Sequence, residues 1–252
     1  DHRDLHLSLR RQRQMCIRDR GAGHCGVPGP CCECFTGPAV SRILLTGASG
    51  RLGRYVLAAL VQRRHQVQTF DKAPAPGSVA HIRADVLDRT SVRSAMTGME
   101  MVVHLAALDA AVAAPERMFV EVNVQGTWNV LEAAEQAGVQ RVVLCSSVAV
   151  LGLADDRPPD CLPVDETHAC RPYHAYGLSK QVAETTAECF ARRGSLQVVC
   201  LRPAFIAFDD LLSGVVQALG ELDGVRWPVG EPGDGTSSEA VSYTHLTLPT
   251  KA

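Results

Sequence analysis

The sequence predicts an α/β fold in which helices cover both faces of a doubly wound, parallel β-sheet. Short apolar runs alternate with segments of helical periodicity from about residue 41 to residue 201, and the runs are continuously apolar. A strand that is buried on both faces needs no polar side, which is typical of parallel sheets. Apolar residues make up 46% of the 252 residues, enough to fill the core of such a fold.

The predicted elements follow one another in regular order. Strands are expected at 41–46, 66–71, 81–84, 100–105, 140–145 and 196–201, and helices at 51–64, from about residue 88, at 115–137 and at 173–193. Loops rich in proline with glycine or aspartate are expected at 73–78 and 152–172. Gly138 directly follows the third helix, the position at which a glycine commonly ends one.

The two ends of the chain lack this periodicity. Residues 14–20 and 241–250 resemble translated sequencing-adapter sequence. We therefore interpret 1–40 as a non-native or disordered leader, 41–240 as a dinucleotide-binding domain with part of a substrate lobe, and 241–252 as a non-native tail.

Two other interpretations of the leader are weaker. Its aspartates disfavour a transit peptide, which would be poor in acidic residues. A metal site would have enough ligands but lacks the paired C-x-x-C spacing of zinc sites. Its candidate ligands are His24, Cys25, Cys31, Cys32 and Cys34.

Charge and composition exclude some partners and suggest a compartment. A net charge of −2 gives no reason to expect nucleic acid or an anionic membrane as a partner. No apolar run approaches the roughly 18 residues that a membrane span needs. Cys145 and Cys200 end apolar runs, so we expect buried thiols, which fit a reducing cytoplasm.

A glycine-rich turn, 47–53, connects the first strand to the first helix. Such a turn lets the backbone approach a pyrophosphate at the helix N-terminus, although a plain tight turn is the alternative. Asp71 ends the second strand, 18 residues after Gly53, where a carboxylate can accept hydrogen bonds from an adenosine ribose. Because it would repel a 2′-phosphate, NAD is favoured over NADP, even with Lys72 adjacent.

The candidate reaction centre begins with Tyr176 and Lys180, which are four residues apart and so share a helix face. We expect the ammonium to lower the pKa of the phenol from its usual value of about 10, making Tyr176 an acid/base for the proton that accompanies hydride transfer. Ser147, after the fifth strand, could orient a substrate oxygen. A solvated helix face is the alternative for the Tyr–Lys pair.

Together these motifs resemble the extended short-chain dehydrogenase/reductases, the NAD-dependent epimerase/dehydratase family, over residues 42–206. The residues that carry the resemblance are 46–53, Asp85-Val86, 104–107, 123–127, 176–180 and 201–203. It implies a Rossmann-type fold with catalytic Tyr176, Lys180 and Ser147, the last in preference to Ser146. It also implies a cofactor site formed by Gly47, Gly50, Arg51, Leu52, Gly53, Asp71, Asp85, Val86, Leu105, Ala106, Ala107, Tyr176 and Lys180.

The resemblance assigns finer roles within that site. Asp85 and Val86 would contact the adenine, and Lys180 would also hold the nicotinamide ribose. Asn123 would either shape the site or pack the helix. A homodimer through the helices at 115–137 and 173–193 is a further family-level expectation.

Departures from the family pattern narrow the chemistry. Val148 and Ala149 follow Ser147 where sugar-nucleotide dehydratases carry an Asp-Glu pair, which disfavours dehydration. Phe205 and the run 206–209 replace the Asn and Gly-Pro turn of many nucleotide-sugar epimerases. A simpler sugar, sugar acid or other hydroxy compound is therefore favoured as the substrate, and epimerase and dehydrogenase both stay open.

Two classes of function remain. The first is an enzyme with Tyr176 as acid/base. The second is a non-catalytic dinucleotide sensor on the same fold, which would typically lack the Tyr–Lys pair.

Of the substrate lobe, only 227–230 is indicated by the sequence, so we expect a cofactor cleft with an incomplete substrate pocket.

Overall fold

The computed structural model describes residues 40–154, 156–206 and 208, together with 242–243 and 247–248. Six parallel strands form its sheet, in the order β3-β2-β1-β4-β5-β6. They are β1 (Arg42–Thr46), β2 (Gln66–Asp71), β3 (Ala80–Arg83), β4 (Met101–His104), β5 (Arg141–Cys145) and β6 (Gln197–Leu201). The predicted fold class is confirmed, and every predicted strand lies within a residue of its expected bounds.

Five α-helices accompany the sheet in the described part of the chain. They are α1 (Arg51–Gln62), α2 (Arg89–Ala95), α3 (Glu116–Phe119), α4 (Gly126–Gln136) and α5 (Ala175–Arg192). None of these helices is long and apolar enough to cross a membrane.

Consecutive residues of a strand pack their side chains on the two opposite faces of the sheet. Leu44 belongs to the large core formed with α2, α4 and α5, whereas Leu45 belongs to a smaller cluster with Leu57 of α1. Both leucines are almost completely buried. Since side chains alternate across a strand, a continuous apolar run is what a sheet covered on both faces requires.

The predicted helix at 115–137 is not a single α-helix. Residues Val120–Gln125 form a π-helical segment between α3 and α4. The Thr127 hydroxyl donates to the backbone oxygen of Asn123 at 2.5 Å, so this helix carbonyl accepts a hydrogen bond from a side chain. The helix ends as predicted, because Gly138 has a φ of +71° and its N–H donates to Glu135 O at 3.2 Å.

Among the described residues, three two-residue strands lie outside the predicted set. β7 (Phe205–Ile206) pairs antiparallel with β8 (Ser242–Tyr243), and β9 (Thr247–Leu248) pairs antiparallel with β6. Runs this short leave no periodic pattern in a sequence. The interpretation of 241–252 as a non-native tail stays a prediction.

Several sequence predictions lie outside the described residues: the leader up to residue 39, the candidate metal ligands at 24–34 and the segment 227–230. Within the described ranges, no group of three His, Cys, Asp or Glu side chains is placed to hold a metal ion.

Candidate active site

The glycine turn between β1 and α1 has no room for side chains. Gly47 has a φ of +73°, and a Cβ there would lie 2.6 Å from Ala106 N. A Cβ on Gly53 would clash with the backbone oxygen of Gly47. Gly50 is the N-cap of α1, where it offers no side chain to close the helix end. The turn therefore presents backbone N–H groups and the positive end of a helix dipole to an approaching anion.

A cleft of about 290 Å³ opens beside this turn. The predicted cofactor residues that line it are Gly47, Gly50, Asp71, Asp85, Val86, Leu105, Ala106 and Ala107. The lining residues that the sequence did not single out for this cleft are Ser49, Phe70, Lys72, Ala84, Leu108, Met118 and Val122. Met118 and Val122 are four residues apart on the α3 and π-helical stretch, a spacing that the sequence shows but that is equally typical of core packing.

Arg51, Leu52 and Gly53 form the first turn of α1 and do not line that cleft. The exposed Arg51 guanidinium lies 4.3 Å from the ring centroid of Phe208, at the start of the segment that follows β7. An aromatic face attracts a cation, so Phe208 fixes where this charge lies at the N-terminus of the helix.

The Asp71 carboxylate is fixed by the backbone. One oxygen accepts from Ser49 N–H at 3.0 Å and the other from Ala73 N–H at 3.1 Å. The neighbouring Lys72 instead forms a 2.9 Å ion pair with Asp85. Burial would raise the pKa of Asp85, but hydrogen bonds from Leu87 N–H and from Lys72 outweigh it and lower that pKa.

The three predicted catalytic side chains converge beyond β5. The Lys180 ammonium is buried and donates to Cys145 O at 2.8 Å, and it lies 5.9 Å from the ring centroid of Tyr176. Burial lowers the pKa of Lys180. Burial raises the pKa of Tyr176, although a hydrogen bond with Ser147 opposes that rise. The predicted lowering of the Tyr176 pKa by Lys180 is therefore wrong, because desolvation of the phenol dominates.

Ser147 and Ser146 differ in their surroundings. Ser147 is the N-cap of a 3₁₀ turn, Val148–Leu151, and its Oγ accepts from Ala149 N–H at 3.1 Å. Ser146 is buried, and its hydroxyl has no hydrogen-bond partner in the described structure. The contact between Ser147 and the Tyr176 phenol favours Ser147 as the member of the reaction centre.

Asn123 ties the reaction centre to the loop after β4. Its Oδ1 accepts from Leu108 N–H at 2.7 Å, while its Nδ2 donates to Leu108 O at 3.0 Å and to Ser179 Oγ at 2.9 Å. The Ser179 hydroxyl donates to Tyr176 O at 2.7 Å. Asn123 thus joins the loop after β4 to α5, which agrees with the helix-packing role, while its role in shaping the site stays a prediction; Ser179 is a partner that the sequence analysis did not identify.

His104 links the two sides of the site. Thr127 already donates its hydroxyl hydrogen to Asn123 O, so it must accept from His104 Nε2, 3.1 Å away. Nδ1 then accepts from Thr46 Oγ1 at 2.7 Å, and Thr46 accepts from Ala106 N–H at 3.3 Å. The hydrogen bonds assign a neutral ring with hydrogen on Nε2. Burial and the charge of Lys180 lower the pKa of His104 to about 3.

A buried ion pair lies farther along α5. Arg202 donates from Nε to one Glu184 oxygen at 2.9 Å and from a terminal nitrogen to the other at 2.7 Å. Their side chains are only 3% and 4% exposed, so each charge depends on the other. Arg202 belongs to the 201–203 motif, but the sequence did not indicate its partner.

Comparison with known proteins gives consistent matches. The model of the NAD dependent epimerase/dehydratase family matches residues 43–207. An N-acetyl-alpha-D-glucosaminyl-diphospho-ditrans,octacis-undecaprenol 4-epimerase of Escherichia coli O157:H7 is 31% identical over 205 residues, which are 80% of this chain and 59% of that protein. The L-arabinose 1-dehydrogenase (NAD(P)(+)) of Haloferax volcanii is 34% identical over 179 residues, 68% of this chain and 69% of that enzyme.

A solved structure agrees with these sequence matches. A short-chain dehydrogenase/reductase superfamily protein from Agrobacterium tumefaciens, with bound NAD, superposes with a TM-score of 0.59 and 35% identity. The match covers 64% of this chain and 48% of that one. The chain therefore spans about half to two thirds of the length of these three proteins.

Proposed function

This chain belongs to the NAD-dependent epimerase/dehydratase family, and from that premise we propose that it acts as an NAD-dependent oxidoreductase or epimerase on a sugar or another hydroxy compound. The observation that carries the proposal is the convergence of Ser147, Tyr176 and Lys180 at the carboxyl end of β5. Ligands of open α/β sheets bind at that edge.

NAD is the proposed cofactor. The crowding around Gly47 and Gly53 supports it, because side chains are excluded where a pyrophosphate would approach the backbone. Asp71 would accept hydrogen bonds from the adenosine ribose, and Asp85 and Val86 would border the adenine. The matched Agrobacterium structure, which carries NAD, gives independent support. When bound, the nicotinamide supplies the hydride acceptor and donor.

The chain's own residues would manage the proton. With its pKa raised, Tyr176 is a neutral phenol at neutral pH and can donate to a substrate oxygen. Ser147 shares a hydrogen bond with that phenol and would orient the same oxygen. Lys180 would hold the nicotinamide ribose, with its ammonium fixed by Cys145 O. Removal of a proton from a substrate hydroxyl needs the phenolate, so oxidation should accelerate as pH rises.

The substrate class follows from two considerations. The matched relatives are named for a glucosaminyl lipid 4-epimerase and an arabinose dehydrogenase, so both act on sugars. Val148 and Ala149 after Ser147 disfavour dehydration, and Phe205 with the run 206–209 favours a simple sugar or sugar acid over a nucleotide sugar. The second candidate, a non-catalytic dinucleotide sensor, would not need the buried Lys180.

The proposed function is tested with the whole chain, NAD and a panel of aldoses, uronic acids, sugar alcohols and nucleotide sugars. NADH formation reports oxidation, and chromatography of the sugars reports epimerisation. Tyr176→Phe should lower turnover by about 10²–10⁴-fold while leaving NAD affinity unchanged, because only the acid/base is lost. Tyr173→Phe is the matched control, since this exposed tyrosine should be dispensable. A Tyr176→Phe chain that keeps full activity contradicts the proposal.

We also propose a homodimer through α3–α4 and α5. The supporting observation is a group of apolar side chains that are 39–49% exposed on these helices: Val120, Trp128, Leu178 and Val182. Sedimentation should give a dimer in the wild type and a monomer in Trp128→Glu, and a wild-type monomer contradicts the proposal.

The five cysteines of the described residues are free thiols, which supports a reducing, cytoplasmic location.

A further inference from the structure

Two cations lie close to Asp71 at the end of the cleft that we assign to the adenosine. Lys72 follows Asp71 directly, and Arg83 is the partner of Asp71 in the β2–β3 register. Arg83 Nε donates to the Lys72 backbone oxygen at 3.0 Å, so both cations belong to one small surface. A lysine or arginine at this point would attract the 2′-phosphate of NADP, whereas Asp71 would repel it.

Lys72 is not free to contact a phosphate beside Asp71, because its ammonium forms an ion pair with Asp85. Its ammonium lies 2.9 Å from the Asp85 carboxylate, and Asp85 is itself anchored by Leu87 N–H at 3.0 Å. The lysine side chain is 74% exposed, whereas Asp85 is 32% exposed. The aspartate is therefore the anchored partner, and the lysine is the more exposed one.

We propose that Asp85 is a specificity-determining residue, which sets the preference for NAD over NADP by holding Lys72 away from the place beside Asp71 that a 2′-phosphate would take. The inference rests on the proposed cofactor site. In this arrangement Asp85 neutralises Lys72, and the Asp71 carboxylate, held by Ser49 and Ala73, faces the ribose without a counter-charge from its neighbour. Removing the Asp85 charge would release the lysine.

The ratio of the two dissociation constants isolates this effect. NAD and NADP differ only by the 2′-phosphate, which carries about two negative charges at neutral pH. Any contact that Asp85 makes with the adenine is shared by both cofactors and cancels in Kd(NADP)/Kd(NAD). A merely structural role for Asp85 would weaken both cofactors together and leave the ratio unchanged.

The experiment is a calorimetric titration of the whole chain with NAD and with NADP. Asp85→Asn should lower Kd(NADP)/Kd(NAD) by about tenfold, the expected effect of one unit charge near a phosphate at a protein surface. Asp85→Glu keeps the charge and should keep the wild-type ratio within about twofold. Thermal melting of each variant identifies any that fails to fold.

Lys72→Met completes a double-mutant cycle. On its own it should raise the ratio or leave it unchanged, since it removes a cation and leaves the Asp85 carboxylate without its counter-ion. In the Asp85→Asn background it should restore the wild-type ratio. An unchanged ratio in Asp85→Asn overturns the inference, as does a lowered ratio that survives Lys72→Met.

The failures of the two proposals are distinguishable. A folded wild type that binds neither NAD nor NADP overturns the proposed function, and the inference falls with it. A wild type that binds NAD, combined with an unchanged ratio in Asp85→Asn, overturns the inference alone.

Discussion

The cofactor side and the reaction side of this molecule are built in different ways. From β1 to β2 the geometry is set by the backbone: Gly47 and Gly53 leave no space for a side chain, and Asp71 is held by two main-chain N–H groups. From the π-helical segment to β6 the geometry is set by buried polar side chains, among them Lys180 and Asn123. The geometry of the cofactor side therefore depends on the absence of side chains. The geometry of the reaction side depends on hydrogen bonds and ion pairs that satisfy its buried polar side chains.

His104 lies where the two sides meet. Its ring connects Thr46, at the end of β1, to Thr127, next to the π-helical segment that carries Asn123. Because both ring nitrogens are used and the residue is buried, the ring stays neutral. Substitutions on the cofactor side, on the reaction side or at His104 therefore test whether the two sides are held in place in these different ways.

The largest effect is expected on the cofactor side, from Gly53→Ala. The added Cβ would meet Gly47 O and Ala48, which are backbone atoms that cannot move aside. We expect a loss of stability on the order of 5 kcal/mol, above the about 1–3 kcal/mol usual for overpacking because the clash is with backbone, together with loss of NAD binding, measured by chemical denaturation and calorimetry.

Gly98→Ala is the matched control for Gly53→Ala. Gly98 has a φ of +73°, but a Cβ at this position would meet no neighbour within 4 Å. Only backbone strain of about 1–2 kcal/mol is therefore expected, with NAD binding retained. Normal stability and NAD affinity in Gly53→Ala would show that the turn does not depend on excluding side chains.

The next effect is expected on the reaction side, from Glu184→Gln. This change leaves the Arg202 charge buried without its counter-ion, which should destabilise the protein by about 3–5 kcal/mol in urea denaturation. Replacing both partners, as Glu184→Leu with Arg202→Met, should recover more than half of that loss. If the single variant is as stable as the wild type, buried polar pairing is not what holds this side together.

A smaller effect concerns pH and the junction at His104. The folded-state pKa of about 3 lies below the ordinary value of 6.5, so between these values the unfolded chain binds more protons. Stability from this group is thus complete above pH 6.5 and falls as pH decreases, by at most about 1.4 kcal/mol per pH unit. Denaturation at several pH values should show a flatter acid limb for His104→Gln than for the wild type. Identical slopes would mean that His104 is not buried as a neutral ring.

The same distinction explains what the sequence could predict. The strands, their parallel direction and the glycine turn follow from local patterns that need no partner, and the structure agrees with them. The Glu184–Arg202 and Lys72–Asp85 pairs each join residues of different elements, which no local pattern indicates. The π-helical segment follows a hydrogen bond from one hydroxyl, which leaves no periodic signal in the sequence. The direction of the Tyr176 pKa was predicted wrongly because the spacing to Lys180 reports a neighbouring charge but not the burial that outweighs it.

The assignment of the glycine turn and Asp71 as an NAD site underlies both proposals, and calorimetric titration of the whole chain with NAD tests it. We expect saturable binding at one site per chain, with weaker binding of NADP and none by the Gly53→Ala variant. A folded wild-type chain that binds no NAD, or that binds NADP more tightly, would contradict the assignment.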